Sequence, residues 1–372
     1  MIKLKRYLGK QIISDLNQKM VFVGGPRQVG KTTLAKSLLK DKAGYLNWDV
    51  RQDREKILLG EFPNTPLWIF DEIHKYRTWR NMLKGLYDSK SASQKILVTG
   101  SAKLDYYRYS GDSLQGRYHY LRMHPLSFAE LKSANQSDLM QLLTLGGFPE
   151  PFFRGSETHA KRWSREYRSR LIREDLVELE RVQDLGNLEL LALRLPEVVG
   201  GPLSINNLRE DLQVSHKTIS QWLIILERMY SIFRLPPFGA PKIRAVKKEQ
   251  KHYHFDWTLV QESGFRFENL VACALLKWVN YKQDTEGDDI ELRYFRDIDR
   301  REVDFVLVRG RKPITLIECK YSDAEINPAR RYLKERFPGV EALQISAVGT
   351  KDYVSADGIR VCPARQYLNT LI

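Results

Sequence analysis

The chain has 372 residues, of which 42% are hydrophobic and 28% are charged, and its formal net charge is +14. This length allows two or three domains, and the composition is that of an ordinary globular protein. No apolar run approaches the ~18 residues of a membrane span, which excludes a membrane-spanning protein. The N-terminus lacks the apolar core and cleavage site of an export signal, and the three distant cysteines support neither a disulfide framework nor a zinc site. We therefore expect a cytoplasmic protein.

The first informative stretch is an apolar run, residues 20–23, that leads into a glycine-rich turn and a predicted helix. The turn fits the pattern GxxxxGK[ST], in which backbone N–H groups and a helix N-terminus bind phosphate oxygens. The lysine of this pattern reaches the β- and γ-phosphates, and the hydroxyl that follows it holds Mg²⁺. The stretch predicts a site for ATP and Mg²⁺ made by Gly25, Pro26, Arg27, Gln28, Val29, Gly30, Lys31, Thr32 and Thr33.

Two later predicted strands end in polar residues that suit the same chemistry. Residues 67–71 run into Asp71 and Glu72, of which the first is suited to hold Mg²⁺ and the second to polarise the attacking water. Residues 95–99 place Thr99 or Ser101 at the carboxyl edge of a parallel sheet, where either could orient that water unless the segment is a simple turn. Alternating strand and helix signals through residue 124 predict a parallel sheet with crossover helices.

Several segments of the chain carry a family resemblance. GGPRQVGKTTL, IFDEIHK, VTGSA, LQGRYHYLRMHPLSFAEL and GGFPEP resemble the large bacterial and archaeal family of AAA-type P-loop ATPases, whose members typically carry a C-terminal domain of unknown function related to restriction endonucleases. The resemblance implies ATP hydrolysis with Arg117 as an arginine finger, which stabilises charge on the transferring phosphoryl group. This arginine would act in cis, or on a neighbouring subunit of a homo-oligomer. A salt-bridged surface arginine is the alternative.

Residues 149–258 are predicted to form a helical and winged-helix module. Two helices flank a short turn that ends at Ser215, a good N-cap, and their spacing is that of a helix-turn-helix. If the second helix entered a major groove, Lys217, Ser220 and Gln221 would lie on its exposed face. A basic stretch follows that could contact phosphates: Lys242, Arg244, Lys247, Lys248 and Lys251. With the net positive charge, these features predict DNA or RNA as a partner; a packing module that binds no nucleic acid is the alternative.

Residues 259–372 contain a second set of candidate site residues. Glu268 falls on the apolar arc of a predicted helix, where a lone carboxylate is costly unless it is paired or binds a metal. Asp304 follows on one predicted strand and Glu318 and Lys320 on the next, where alternation places the last two on one face. Together they resemble the PD-(D/E)xK nuclease core, in which carboxylates such as Asp304 and Glu318 hold Mg²⁺ and a lysine positions water. The alternative is a nuclease-like fold that serves binding or packing.

The whole sequence predicts an α/β protein with an AAA-type P-loop ATPase module at residues 1–148, then the helical and winged-helix module, then an endonuclease-like module. The leading hypothesis couples ATP hydrolysis to nucleic-acid binding or processing. The alternative is an ATP-gated switch that binds protein or DNA and cuts nothing. A small-molecule kinase is a weaker third hypothesis, because the pair Asp71 and Glu72 suits water as the acceptor.

Overall fold

The computed structural model describes residues 4–100, 104, 114–131, 133–175, 184–239, 249–326 and 328–372, without the side chains of residues 174, 175, 328 and 330. The chain divides into two compact units. The first is Met1–Pro125 with Asp284–Glu286, and the second is Leu126–Gln283 with Gly287–Ile372. Among the helices of the described ranges, none is long and apolar enough to cross a membrane.

The first unit is built on a parallel sheet, as the strand and helix alternation predicts. Its strands are β1 (Met20–Gly24), β2 (Tyr45–Asn47), β3 (Leu67–Asp71), β4 (Lys95–Thr99) and β5 (Tyr118–Arg122). They lie in the order β2-β3-β4-β1-β5, and every neighbouring pair is parallel. The helices are α1 (Gly9–Asp15), α2 (Lys31–Ser37), α3 (Arg51–Leu59) and α4 (Trp79–Ser89), with short 3₁₀ turns at Lys42–Gly44 and Ile73–Lys75. The predicted parallel α/β fold of this module is therefore confirmed.

The apolar sequence of the central strands explains their position. Every residue of β1 is buried, as expected for a parallel strand covered on both faces. Phe22, Phe70 and Val98 of three neighbouring strands pack with Trp79 and Leu83 of α4 in one core. Because the strands are parallel, the ends of β1, β3 and β4 meet at one edge of the sheet, where polar residues replace apolar ones.

The second unit begins with helices and a small hairpin. The helices are α5 (Gln136–Leu145), α6 (Pro149–Arg154), α7 (Glu157–Arg170), α8 (Leu185–Arg194), α9 (Ile205–Leu212) and α10 (His216–Arg228). Short 3₁₀ turns lie at Phe128–Glu130, Leu195–Val198 and Trp257–Leu259, and a π-helical segment at Leu171–Asp175. Ser215 caps α10, since its side chain accepts a hydrogen bond from the Thr218 N–H at 3.0 Å. Strands β6 (Ile232–Leu235) and β7 (Lys251–His254) then form an antiparallel pair.

The rest of the second unit is a mixed sheet with helices. Helix α11 (Ser263–Glu286) precedes β8 (Ile290–Arg296), β9 (Glu302–Arg309), β10 (Lys312–Lys320), α12 (Pro328–Arg336), β11 (Glu341–Ser346), β12 (Tyr353–Val354), β13 (Arg360–Pro363) and α13 (Ala364–Leu368). The strand order is β12-β13-β11-β10-β9-β8, with β8, β9 and β10 antiparallel and β10, β11 and β13 parallel. Both later modules of the sequence analysis lie in this unit, and their boundaries stay a prediction.

A buried histidine on β7 should make folding sensitive to acid. The His252 side chain is fully buried, and its Nε2–H donates to the Leu195 carbonyl oxygen at 2.9 Å. Burial lowers the pKa of His252 from 6.5 to about 4. Because the pKa of His252 is lower in the folded state, its contribution to the free energy of unfolding is fully present above pH 6.5. This contribution is lost as the pH falls toward 4, at about 1.4 kcal/mol per pH unit for one proton.

We expect His252→Gln, whose amide can still donate to Leu195, to reduce the loss of unfolding free energy between pH 6.5 and 4. Urea unfolding followed by circular dichroism at several pH values measures this slope. His216→Gln, a change on the exposed surface of α10, is the control and should leave it as in the wild type. An identical slope in all three proteins would show that His252 does not titrate as described.

Candidate functional site

The turn after β1 has a backbone that only glycine can adopt. Gly25 has a φ of +132°, and a Cβ atom at this position would lie 2.2 Å from the Met123 carbonyl oxygen. Gly30 has a φ of +98° and is the N-cap of α2. The predicted strand, turn and helix are therefore all present, which is the structural context that the phosphate-loop pattern requires.

The Lys31 side chain is held within this turn by hydrogen bonds to the backbone of the loop. It is the first residue of α2 and its side chain is buried. Its Nζ donates to the carbonyl oxygens of Gly25 at 2.9 Å and Pro26 at 2.5 Å. The ammonium thus lies within the turn whose backbone would surround a phosphate group.

Asp71, at the end of β3, is bound by three hydroxyl groups. Its Oδ2 accepts hydrogen bonds from Thr32 Oγ1 at 2.8 Å and from the Tyr45 hydroxyl at 2.6 Å. Its Oδ1 accepts one from Thr99 Oγ1 at 2.6 Å. The parallel register explains the last contact, because Asp71 and Thr99 are paired residues of β3 and β4. The structure therefore brings together Thr32, Asp71 and Thr99, all predicted from the sequence.

Tyr45 is a member of this network that sequence reasoning missed. It begins β2, at the opposite end of that strand from the predicted site edge, and its long side chain reaches Asp71. Burial and the hydrogen bond to Asp71 raise the pKa of Tyr45, so its hydroxyl stays a donor. The Lys36 ammonium lies 3.9 Å from the centre of its ring. A polar aromatic residue near the second strand is too weak a signal for this contact to be read from sequence.

Glu72 directly follows β3 in an unusual backbone conformation. Its φ is +55°, a left-handed value that is costly for a non-glycine residue, and its N–H donates to the Thr99 carbonyl oxygen at 3.0 Å. Its Oε2 lies 3.4 Å from Nε2 of His74, whose side chain is buried. Burial raises the pKa of Glu72, while the Lys31 charge opposes that shift. A carboxylate with a raised pKa is a better proton acceptor at neutral pH.

Ser101 and Arg117 are the two remaining candidate catalytic residues of the N-terminal module. Ser101 lies outside the described residues. Arg117 precedes β5, and its carbonyl oxygen accepts from the N–H of Met20, the first residue of β1. The phosphate loop follows the last residue of β1, about 15 Å away at ~3.3 Å per residue. Arg117 therefore cannot reach the loop in cis, so that alternative is wrong; acting on a neighbouring subunit stays a prediction.

Within its own unit Arg117 forms a surface ion pair. Its Nε donates to Asp88 Oδ1 at 2.8 Å and its second guanidinium nitrogen to Oδ2 at 3.0 Å. The arginine side chain is 29% exposed and the aspartate 46%. This bidentate contact is the salt-bridged surface arginine that the sequence analysis gives as the alternative.

The carboxylates of the second unit surround a lysine. Lys251, on β7, is 1% exposed, and its Nζ lies 3.1 Å from Glu268 Oε1, 2.6 Å from Glu302 Oε1 and 3.5 Å from Asp304 Oδ1. The Tyr253 hydroxyl also donates to Glu268 Oε1, at 2.6 Å. Lys251 is thus a buried partner of carboxylates, so its place in a phosphate-binding basic stretch is wrong. The rest of that stretch, Lys242, Arg244, Lys247 and Lys248, lies outside the described residues.

Glu318 and Lys320 lie on one face of β10, as alternation predicts. Lys320 Nζ donates to Glu318 Oε1 at 2.8 Å, with the carboxylate buried and the lysine one-third exposed. Asp304 is nearby, since its Oδ2 accepts the Cys319 N–H at 2.9 Å. In the part of the chain that the structure describes, however, no group of three or more His, Cys, Asp or Glu residues is arranged to hold a metal ion. The assignment of Asp304 and Glu318 as Mg²⁺ ligands stays a prediction.

The second helix of the predicted helix-turn-helix presents part of the expected surface. Lys217 and Gln221 on α10 are exposed, and Ile224, 41% exposed, continues the same face at helical spacing. Ser220 is only partly exposed, and its hydroxyl donates to the His216 carbonyl oxygen at 2.9 Å. Two of the three predicted contact residues therefore face outward.

Comparison with known proteins divides the chain into three matches. Residues 17–132 match an AAA domain, residues 136–264 a domain of unknown function (DUF8612), and residues 263–367 a domain of unknown function (DUF4143). None of these matches identifies a restriction endonuclease.

Full-length relatives are distant. An uncharacterized protein of Haemophilus influenzae is 23% identical over 352 residues, which cover 82% of this chain and 84% of that one. An uncharacterized protein of Mycobacterium tuberculosis is 22% identical over 372 residues, covering 91% and 83%. Among solved structures, the Hsp104–ADP complex of S. cerevisiae matches with a TM-score of 0.31 and 12% identity, covering 60% of this chain and 38% of that one. Residues 17–132 are thus similar to an AAA domain, in agreement with the parallel sheet and the glycine-rich turn of this module.

Proposed function

We propose that the protein is a Mg²⁺-dependent ATPase that acts as a switch for a macromolecular partner. The hydrogen bond between Thr32 and Asp71, beside the buried Lys31, carries the first part of this proposal. A hydroxyl and a carboxylate are hard oxygen ligands of the type that Mg²⁺ takes, and here they already lie in contact. These residues fit the metal that the phosphate-loop pattern implies.

The residues would divide the work of hydrolysis as follows. Lys31 would exchange its carbonyl partners, Gly25 and Pro26, for β- and γ-phosphate oxygens. Thr32 and Asp71 would hold Mg²⁺, which neutralises charge on the phosphates when bound. Glu72 would accept the proton of the attacking water, a role that its raised pKa favours.

We propose for Thr99 a role that differs from the one predicted from its position at the sheet edge. Its hydroxyl donates to Asp71 Oδ1, so it orients the carboxylate rather than the water. Tyr45 does the same for Oδ2. Such partners of metal-binding groups change metal affinity by about 10- to 100-fold when they are removed.

We therefore expect Tyr45→Phe and Thr99→Val to raise the Mg²⁺ concentration for half-maximal ATPase activity by about 10-fold, with a nearly wild-type rate at saturating Mg²⁺. Phosphate release measured across a Mg²⁺ titration tests this. Tyr76→Phe, which removes a tyrosine hydroxyl elsewhere in the same unit, is the matched control. A lowered maximal rate with unchanged Mg²⁺ dependence would assign these hydroxyls to another step.

We propose nucleic acid as the partner. Two features support this choice: a net charge of +14, concentrated in the first 150 residues, and the exposed Lys217 and Gln221 on α10. Positive charge attracts phosphate backbones, and that attraction weakens as the salt concentration rises, because the release of counterions on binding becomes less favourable. A protein partner without nucleic acid is the alternative.

The test is ATPase activity with and without single- and double-stranded DNA and RNA over a series of salt concentrations. We expect stimulation that declines with salt and is largely lost in the double variant Lys217→Ala and Gln221→Ala. Lys161→Ala, an exposed lysine of α7, is the matched control. Equal rates with and without every nucleic acid would contradict this partner and favour the protein alternative.

A further inference from the structure

We propose that Lys251 is a fixed internal cation that takes the place of a divalent metal among Glu268, Glu302 and Asp304, so that the second unit does not cleave nucleic acid. The carboxylates come from two elements, α11 and β9, and the lysine from a third, β7. All three carboxylates have an oxygen within 3.5 Å of Lys251 Nζ. The ammonium group is therefore at the centre of the cluster.

The hydrogen-bonding capacity of an ammonium group matches the three carboxylates that surround it. It has three N–H donors and no acceptor, and three carboxylates face it. The other Asp304 oxygen accepts the Cys319 N–H, and the Tyr253 hydroxyl donates to Glu268. Buried carboxylates are stable when paired and hydrogen-bonded in this way. A metal ion at the centre of the cluster would need the position that the ammonium group occupies, so the ammonium would have to leave.

The strand that carries Lys251 is anchored on both sides. Lys251 pairs with Leu235 of β6, and the preceding Gln250 carbonyl oxygen accepts the Leu203 N–H at 2.8 Å. Toward α11, the His254 N–H donates to Asn269 Oδ1 at 2.9 Å, and Asn269 Nδ2 donates back to the His254 carbonyl oxygen at 2.7 Å. Withdrawal of the lysine backbone would break all of these contacts. Because the lysine side chain is also buried, Lys251 is a fixed part of the cluster.

The remaining carboxylate of the predicted nuclease set is paired as well. Glu318 accepts a hydrogen bond from Lys320, the residue that would position water in a nuclease. Glu268, Asp304 and Glu318 thus each have a lysine partner. This inference concerns the second unit alone and does not depend on ATP hydrolysis, so either proposal can fail without the other.

Manganese binding, followed by electron paramagnetic resonance of the full-length protein without nucleotide, tests the inference. We expect wild type and Asp304→Asn to bind Mn²⁺ identically, because the cluster holds none. We expect Lys251→Ala, which removes the ammonium and leaves space, to gain one site that a second change, Asp304→Asn, abolishes. Lys251→Met, which fills the same space without charge, is the control and should gain none.

A wild-type Mn²⁺ site that Asp304→Asn removes would overturn the inference, and so would a folded Lys251→Ala protein without the additional site. If Lys251→Ala does not fold, the comparison of wild type with Asp304→Asn still decides. A second readout is incubation of DNA and RNA with wild-type protein and Mg²⁺ or Mn²⁺. Intact nucleic acid is expected, whereas cleavage that is lost in Glu318→Ala would contradict the inference.

Discussion

Replacing Lys31 with alanine should lower the ATP hydrolysis rate by about 100-fold or more, the scale on which one preorganised group stabilises a charged transition state. The ammonium is the buried cation of the turn between β1 and α2, held there by two loop carbonyl oxygens. Its removal takes positive charge from the place where negative charge develops on the phosphates. Phosphate release at saturating Mg²⁺ and ATP measures the effect.

Lys56→Ala is the control, because Lys56 is an exposed lysine of α3 in the same unit. It should hydrolyse ATP at the wild-type rate. Circular dichroism and thermal unfolding of both variants separate lost chemistry from lost folding. A folded Lys31→Ala protein with wild-type activity would place the nucleotide site elsewhere.

Glu72→Gln should separate ATP binding from hydrolysis. The amide keeps the size of the side chain and removes its ability to accept a proton, a contribution of about 100- to 10,000-fold in rate. Lys31, Thr32 and Asp71 are unchanged, so nucleotide affinity should stay close to that of the wild type. Fluorescent-nucleotide binding and phosphate release, measured on one preparation, test both halves of this expectation.

Asp71→Asn is the contrasting variant for Glu72→Gln. It should weaken nucleotide binding in the presence of Mg²⁺ and also slow hydrolysis, because Asp71 accepts a hydrogen bond directly from the Thr32 hydroxyl. If Glu72→Gln instead hydrolysed ATP normally, the proton acceptor would have to be another group. If it failed to bind ATP, Glu72 would be needed for the site itself.

The fold of the N-terminal module, residues 1–148, could be predicted in detail because its signals are local. The glycines, lysine and threonine of the turn are adjacent in the chain, and Asp71 and Thr99 end apolar strands. Parallel pairing then brings the carboxyl ends of these strands together at one edge of the sheet. Tyr45 could not be found in this way, since its contact with Asp71 depends on which strand neighbours β3 and on the reach of its side chain.

The positions of Arg117 and Lys251 in the fold could not be predicted from sequence patterns. The motif around Arg117 does not tell at which end of the sheet it lies; the direction of β5 places it at the amino end, beside the start of β1. Lys251 belongs to a run of basic residues that resembles a solvent-exposed stretch. Its burial depends on Glu268, Glu302 and Asp304, which lie 17 to 53 positions further along the chain. Both outcomes arise from tertiary contacts.

In the reaction that we propose, water is the phosphoryl acceptor and Mg²⁺ is required. The most direct measurement is phosphate release by the full-length wild-type protein with Mg²⁺ and ATP alone, before and after addition of excess EDTA. We predict release over many turnovers that stops on chelation. Bound ATP without turnover, or turnover only after a second acceptor molecule is added, would contradict the claim.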